Sequence, residues 1–229
     1  MSAISDAFLS TGFSTYSRLR GFTIGRVDGA FRKTRHDQLV QKIFFESGYF
    51  ESADTPLAEM SAGMTDCSFL VERKNRAVGA VTLLESTTIF PVEEFFNIRL
   101  PDDVRREEVA ELTRFVIERD FRRQDPVVSV KLLQAALVHS RRRGIRWWIW
   151  CGPSVFLWGF QAFFQHPRVL EQLPLTKDQV EMRKGRESYF SESKALRVVL
   201  IDLDSISLTN SALEMLRRRK LRQKRSKRR

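Results

Sequence analysis

The run Glu108–Glu118, near the middle of the chain, constrains the fold more than any other segment. It reads Glu-Val-Ala-Glu-Leu-Thr-Arg-Phe-Val-Ile-Glu, with β-branched and aromatic residues concentrated at its end. This composition predicts a buried β-strand more than a helix. Glu111 and Arg114 lie inside the run, and burying a charge is costly unless the charge is paired or used. A simple ion pair between them is geometrically awkward, because residues three apart on a strand face opposite sides unless a bulge intervenes.

The segments around this strand predict an α/β layer arrangement in one domain, because strands and helices alternate along the second half of the chain. Apolar periodicity, with Gly and Pro as punctuation, gives the boundaries. Predicted strands cover 22–27, 67–73, 77–85, 146–151 and 195–203, and predicted helices cover 30–46, 126–141 and 154–165. We divide the chain into an N-terminal arm (1–21), a folded domain (22–208) and a basic C-terminal helix or tail (209–229).

The net charge of +11 describes the tail rather than the folded domain. Residues 217–229 hold ten basic and no acidic residues, which leaves residues 1–216 with a net charge of +1. A nucleic-acid-binding fold more often spreads its basic charge over a folded face. The tail is predicted to bind anionic lipid or nucleic acid, and the sequence leaves both open.

Composition also indicates the compartment. No signal peptide or membrane-spanning segment is visible, so we expect a cytoplasmic protein with optional peripheral contact with the inner membrane. Two cysteines, Cys67 and Cys151, suggest no disulfide framework. The three histidines show no metal-ligand spacing with the cysteines, so no metal site is expected.

The segment Val109–Val116 resembles the Glu-x-Ser/Thr-Arg-Phe/Leu-x-Val strand of the autoinducer-synthase-like acyltransferases. That group includes the acyl-homoserine-lactone synthases and the long-chain N-acyl amino acid synthases, which are branches of the GNAT (N-acetyltransferase-like) fold. Phe44–Tyr49 resembles the helix end before the family's substrate loop. Phe69–Glu72 and Val78–Leu84 resemble the hairpin before the motif strand.

The resemblance implies a GNAT-like α/β (α+β) fold, with a mixed, mostly antiparallel twisted sheet flanked by helices. It also implies an N-acyltransferase in which Glu111 is the base and Arg114 braces that base or the substrate. Residues predicted to line the acyl and pantetheine path are Thr113, Phe115, Val116, Ile117, Trp148 and Trp150.

The segment after the motif strand predicts the acyl donor. Arg119–Pro126 lacks the glycines with which many acetyl-coenzyme A enzymes bind pyrophosphate. This favours acyl carrier protein, which brings its own phosphopantetheine thioester, so no resident cofactor is expected. The arginines predicted to meet the acidic carrier are Arg122, Arg123, Arg141, Arg142 and Arg143.

Two departures from the family pattern bear on the acceptor. Thr82 stands where the family has an arginine, and the loop acids Asp54, Glu59 and Asp66 do not reproduce its Asp-x-x-Asp pair. Both weaken the case for S-adenosylmethionine as amino donor. The predicted acceptor is therefore the amine of an amino acid or a similar small amine. The alternatives are an acyl-homoserine-lactone synthase, or a non-enzymatic GNAT-like domain whose basic tail binds RNA or membrane.

Overall fold

A seven-stranded sheet, in the order β1-β2-β3-β4-β5-β7-β6, organises the structure. The computed structural model describes residues 21–50, 52, 57, 64–86, 88–122, 127–154, 167–183 and 195–205. The strands are β1 (Phe22–Arg26), β2 (Met64–Arg73), β3 (Arg76–Ser86), β4 (Val109–Ile117), β5 (Trp147–Pro153), β6 (Arg168–Val169) and β7 (Leu196–Asp202). All neighbouring strands are antiparallel except β4 and β5.

The helices within the described residues are α1 (Ala30–Glu46), α2 (Pro91–Phe96), α3 (Arg119–Arg122), α4 (Val127–Arg142) and α5 (Lys177–Met182). Short 3-10 turns cover Arg106–Glu108 and Leu203–Ser205. The expected fold class is confirmed: a mixed, mostly antiparallel sheet flanked by helices. No helix in the described part of the chain is long and apolar enough to cross a membrane.

One boundary differs from the sequence-based expectation of a connection over residues 49–66. Strand β2 begins at Met64, and its register with β3 starts at Met64↔Ser86. Asp66, expected in a substrate-covering loop, is therefore a strand residue opposite Leu84. Thr65 and Asp66, near the start of β2, are polar and exposed, so apolar periodicity does not reveal this part of the strand.

The sheet has two covered faces. On one face α4 buries Leu132, Leu133 and Ala136 against strand residues that include Leu83 and Leu112. We call this the α4 face. On the other, α1 packs on Leu70, Ala80 and Val116, and α2 packs on Val109, Ile149 and Val198. This second side, the α1/α2 face, has a strip of sheet between its two helices.

Gly79 lets α4 approach β3 closely. A Cβ atom at this position would lie 2.4 Å from Val128 Cγ1 and 3.2 Å from Leu132 Cδ1. We expect Gly79→Ala to lower the free energy of unfolding by about 1–3 kcal/mol through overpacking, as measured by urea unfolding. Gly25→Ala is the matched control, because its Cβ would meet only the flexible end of the Arg32 side chain. Equal losses in the two variants would contradict this account of α4 packing.

Two irregularities interrupt the pairing of β4 with its neighbouring strands. The parallel ladder with β5 runs from Val109↔Trp147 to Glu111↔Ile149 and stops there within the described strands. Opposite β3, Ala80 pairs with Val116 but Thr82 pairs with Thr113, so β4 holds one extra residue. Arg114, with φ of 51°, adopts the left-handed conformation at this bulge. Within the described strands, β4 and β5 are therefore unpaired beyond Glu111 and Ile149.

Candidate functional site

Glu111 is a buried carboxyl group at the point where β4 and β5 part. It is 7% exposed, and its Oε2 accepts a hydrogen bond from the Val92 backbone N–H at 3.1 Å. Burial raises the pKa of Glu111 from its ordinary value of 4.5 to about 7, and the nearby Glu93 and Glu94 act in the same direction. The Val92 N–H and Arg114 oppose this rise. Near neutral pH the group is thus divided between its two protonation states and is suited to accept and return a proton.

Helix α2 is held in place by an ion pair between the buried Glu93 and the partly exposed Arg106. Both carboxylate oxygens of Glu93 accept from Arg106, at 2.7 and 2.8 Å, and Oε2 also accepts from Phe90 N–H at 2.8 Å. Glu93 is 4% exposed. These bonds fix the first turn of α2, from which Val92 reaches Glu111.

The bulge places the positive charge of Arg114 close enough to act on Glu111. Val109 packs with α2 and Val116 with α1, so the alternation of the strand places Glu111 and Thr113 on the α1/α2 face. The positive charge of Arg114 lowers the pKa of both Glu111 and His36. The bulge therefore lets Glu111 and Arg114 interact electrostatically, although residues three apart on a regular strand face opposite sides.

A chain of buried polar side chains, which sequence reasoning missed, crosses the α1/α2 face beside this pair. Asp37 Oδ1 lies 2.9 Å from His36 Nδ1, His36 Nε2 lies 3.1 Å from Thr82 Oγ1, and Thr82 Oγ1 lies 2.8 Å from Ser68 Oγ. His36, Thr82 and Ser68 are all buried. We call this set the His36–Thr82–Ser68 chain. Thr82 is the register partner of both Ser68 and Thr113, which places the chain next to the motif strand.

The predicted acyl and pantetheine residues divide between the two faces. Phe115, Ile117, Trp148 and Trp150 belong to the core on the α4 face, whereas Val116 packs under α1. Trp148 is completely buried, and its indole N–H donates to Ser140 Oγ at 2.8 Å. Trp148 therefore serves the core beneath α4. Thr113 is half-buried and shares the face of Glu111 by strand alternation.

The predicted carrier-docking arginines do not form one surface. Arg122 follows β4, and its Nε donates to the Ile117 carbonyl at 2.7 Å. Arg141, Arg142 and Arg143 lie at the C-terminal end of the 16-residue α4, roughly 24 Å along the helix axis from its start at Val127. Arg143 pairs there with Glu85 at 3.0 Å. Of the four predicted arginines that the structure describes, Arg122 alone follows directly on the C-terminal end of β4.

Several other sequence predictions concern residues that the structure does not describe. These are Asp54, Glu59, Arg123, the arm 1–20, the predicted helix beyond Ser154 and the tail 217–229. Asp66 is exposed, and the Ser68 hydroxyl lies 3.5 Å from its Oδ2. Within the described ranges, no group of three or more His, Cys, Asp or Glu side chains is arranged to hold a metal ion.

The environment of Glu111 has a consequence for stability that needs no substrate. A carboxyl group whose pKa is higher in the folded chain favours folding when protonated, so the wild type loses stability as the pH rises from about 4.5 to about 7. Glu111→Gln is always neutral and escapes this loss. We expect the variant to gain about 3 kcal/mol relative to wild type between pH 4.5 and pH 8.5, measured by urea unfolding. Parallel stability curves for the two proteins would show that Glu111 is not desolvated.

The comparisons with known proteins give the fold. No protein-family model matches the chain, and no curated protein sequence matches it significantly. Solved structures do match. The AHL synthase LasI aligns with a TM-score of 0.53 and 14% identity, covering 80% of this chain and 89% of LasI. FeeM, an N-acyl amino acid synthase from uncultured soil microbes, aligns with a TM-score of 0.55 and 9% identity, covering 81% and 94%.

A third structure, the CoA-dependent acyl-homoserine lactone synthase BjaI with SAM and isopentyl-CoA, gives a TM-score of 0.53 and 19% identity, covering 84% of this chain and 88% of BjaI. The chain therefore has the autoinducer-synthase-like fold. The alignments span most of each neighbour, so the common fold includes nearly the whole domain.

Proposed function

We propose that this protein is an N-acyltransferase, which moves a fatty acyl chain from a thioester to the amine of an amino acid or a similar small amine. The observation that carries the proposal is Glu111, a buried carboxyl group with a pKa of about 7 beside the point where β4 and β5 part. The shared fold with AHL and N-acyl amino acid synthases supports the same class of reaction.

The geometry supports a direct mechanism. An amine attacks the thioester carbonyl only after losing a proton, so a base within reach lowers the barrier. Glu111 in its ionised form accepts that proton, and the Val92 N–H holds its Oε2 in position. The departing thiolate then takes a proton from the newly protonated Glu111, which returns to its starting state. Arg114 stabilises the ionised form of the base by its positive charge.

The proposed donor is acyl carrier protein. Support comes from the segment 119–126, which lacks the glycines of a pyrophosphate loop, and from the exposed Arg122 near the parting strands. A carrier protein delivers its thioester on a tethered arm and needs only surface charge to dock. The coenzyme A dependence of BjaI is a property of that neighbour, so the donor assay includes both thioesters.

The proposed acceptor is a small amine other than S-adenosylmethionine. Where the resembled family has an arginine, this chain buries Thr82 between His36 and Ser68. This position therefore carries hydroxyl and imidazole groups in place of the family's arginine. Consumption of S-adenosylmethionine with release of a lactone would support the acyl-homoserine-lactone synthase alternative instead.

Expression in a bacterial host tests the proposed function. Lipid extracts of cells expressing wild type are expected to contain a fatty amide, identified by mass spectrometry, that is lost with Glu111→Gln. Wild type and Glu111→Gln must accumulate to equal levels in the soluble fraction. Absence of any acylated amine and of any acyl-homoserine lactone with wild type would overturn the proposal.

The basic tail is proposed to bring the enzyme to anionic lipid, where a fatty product would partition. Each basic residue near such a surface contributes about 1 kcal/mol. Vesicles containing phosphatidylserine are expected to bind the full chain, and deletion of 217–229 to abolish binding. Tight, salt-sensitive binding to RNA without binding to vesicles would favour the nucleic-acid alternative.

A further inference from the structure

We infer that Asp37 and the His36–Thr82–Ser68 chain form a proton relay, which carries the proton released by each turnover from the acceptor amine to the protein surface. This inference rests on the proposed function and assigns the relay residues of the same site. It also accounts for the continuous line of four polar side chains between α1 and the sheet.

The reaction leaves one proton to be removed. A primary amine with a pKa of about 8 or above arrives as an ammonium ion with three N–H protons, and the amide product keeps one. Of the two protons lost, one ends on the departing thiol, and Glu111 accounts for that transfer. The other must leave a site whose base is buried. For an acceptor that binds as the ammonium ion, a second proton acceptor connected to solvent provides the exit.

The direction of the hydrogen bonds follows from Asp37. Hydrogen bonds from His36 and Lys33 lower the pKa of Asp37 despite its partial burial, so Asp37 is a carboxylate at neutral pH and only accepts. His36 must then carry its proton on Nδ1 and present a lone pair at Nε2. The Thr82 hydroxyl donates to that lone pair, and the Ser68 hydroxyl donates to Thr82.

Burial is the main reason that the His36 imidazole is neutral at pH 7, because it lowers the pKa of the ring. The cations Arg114 on β4 and Lys33 on α1 add to this effect against the raising influence of Asp37. Asp66 lies at the other end of the His36–Thr82–Ser68 chain, next to Ser68. A neutral imidazole between a hydroxyl group and a carboxylate both accepts and donates a proton, which is what a relay needs.

The transfer is balanced. An oxygen lone pair of Thr82 takes a proton from the ammonium group as the Thr82 hydroxyl proton passes to His36 Nε2. The Nδ1 proton then passes to Asp37, which is 27% exposed at its side chain and releases it to water. A flip of the imidazole ring then restores the Nδ1–H tautomer for the next turnover. Thr82 lies beside Thr113 in the register, on the face that also carries Glu111. The relay therefore begins one strand away from the proposed base.

The relay is tested by the pH dependence of two variants. Thr82→Val keeps the shape and removes the hydroxyl, and Asp37→Asn keeps an acceptor oxygen but removes the exit carboxylate. Both are expected to slow amide formation at pH 7 by about tenfold to a hundredfold, less than loss of a direct base. At a pH above the pKa of the amine, the acceptor arrives neutral and the defect should disappear. Thr82→Ser should restore the wild-type profile.

His139→Gln is the matched control, because His139 is half-buried on α4, across the sheet from the relay. Its pH profile should equal that of wild type. A defect of Thr82→Val that is the same at every pH, or no defect at all while wild type forms amide, would overturn the relay alone. No amide from wild type at any pH would overturn the proposed function and the relay with it.

Imidazole nitrogen NMR gives a readout that does not depend on turnover. The chain has three histidines, so single variants assign the signals. The expected result is the Nδ1–H tautomer of His36, neutral at pH 6.5, with an Nε2 shift that changes in Thr82→Val. A charged His36 or the Nε2–H tautomer at that pH would reverse the hydrogen-bond direction and overturn the relay.

Discussion

Glu111→Gln is expected to lower the rate of amide formation at pH 7 by about 10²–10⁴-fold, the range for removing a positioned general base. Glutamine has the same shape and still accepts the Val92 N–H bond, but it cannot take a proton. The folded state should survive, since the neutral amide replaces a carboxyl group that burial already disfavours as an anion. The measurement is single-turnover transfer from an acyl thioester, followed by mass spectrometry.

Glu118→Gln is the matched control for this loss. Glu118 is also a buried glutamate, next to the end of the same strand, but it pairs with Lys42 and Arg76, and those contacts lower its pKa. A carboxylate held ionised in this way is a poor base at neutral pH. Glu118→Gln should therefore lower the stability of the fold without slowing the chemical step. Equal rate losses in the two variants, at equal folded fractions, would remove Glu111 from the mechanism.

Arg106→Ala is expected to lower the free energy of unfolding by about 3–5 kcal/mol, because it leaves the Glu93 carboxylate buried without its partner. Glu93 is 4% exposed and receives two hydrogen bonds from Arg106. The same loss should loosen α2 and with it the Val92 contact to Glu111. Thermal and urea unfolding at pH 7 measure the first effect, and acyl transfer under folded conditions measures the second.

The neighbouring Arg105 provides the control for Arg106. It forms an ion pair with Glu108, but its side chain is 69% exposed. Exposed pairs contribute about 0–1 kcal/mol, so Arg105→Ala should be nearly neutral. If Arg106→Ala were as mild as Arg105→Ala, the Glu93 pair would not be what fixes α2.

Much of the sheet could be predicted because its strands have the β-branched, apolar composition of buried strands. The motif strand, the β2–β3 hairpin, α1 and α4 all follow from periodicity with small boundary shifts. Strand geometry makes a bulge the condition for Glu111 and Arg114 to act together, and the left-handed Arg114 is that bulge. Its position was not predictable, because no glycine or asparagine marks it in the sequence.

The support for Glu111 could not be predicted from the sequence. Helix α2 has only six residues, too few for a periodic pattern, and its aromatic neighbours are compatible with either a pocket lining or a core edge. The structure assigns Phe90 and Phe96 to the core. The N–H donor to Glu111 is a backbone group, which leaves no trace in residue type.

Two residues of the His36–Thr82–Ser68 chain lie at inward positions that the sequence shows, but no single segment reveals that they are partners. His36 falls within the inward face of α1 with Leu39, Val40 and Ile43, and Thr82 falls inside the apolar run of β3. Each residue alone is ordinary, since threonine suits a strand and a buried histidine is usually structural. Only the packing of α1 on β3, more than 40 residues apart in sequence, makes them partners.

Reconstituted acyl transfer is the most direct test of N-acyltransferase activity with Glu111 as its base. Purified protein is given a long-chain acyl thioester on carrier protein or coenzyme A, together with a mixture of amino acids and small amines, between pH 5 and pH 9. The proposed mechanism predicts one amide for each thiol released, and a rate that rises with an apparent pKa near 7 in wild type but not in Glu111→Gln. Thiol release without amide, or a rate profile that Glu111→Gln leaves unchanged, would contradict it.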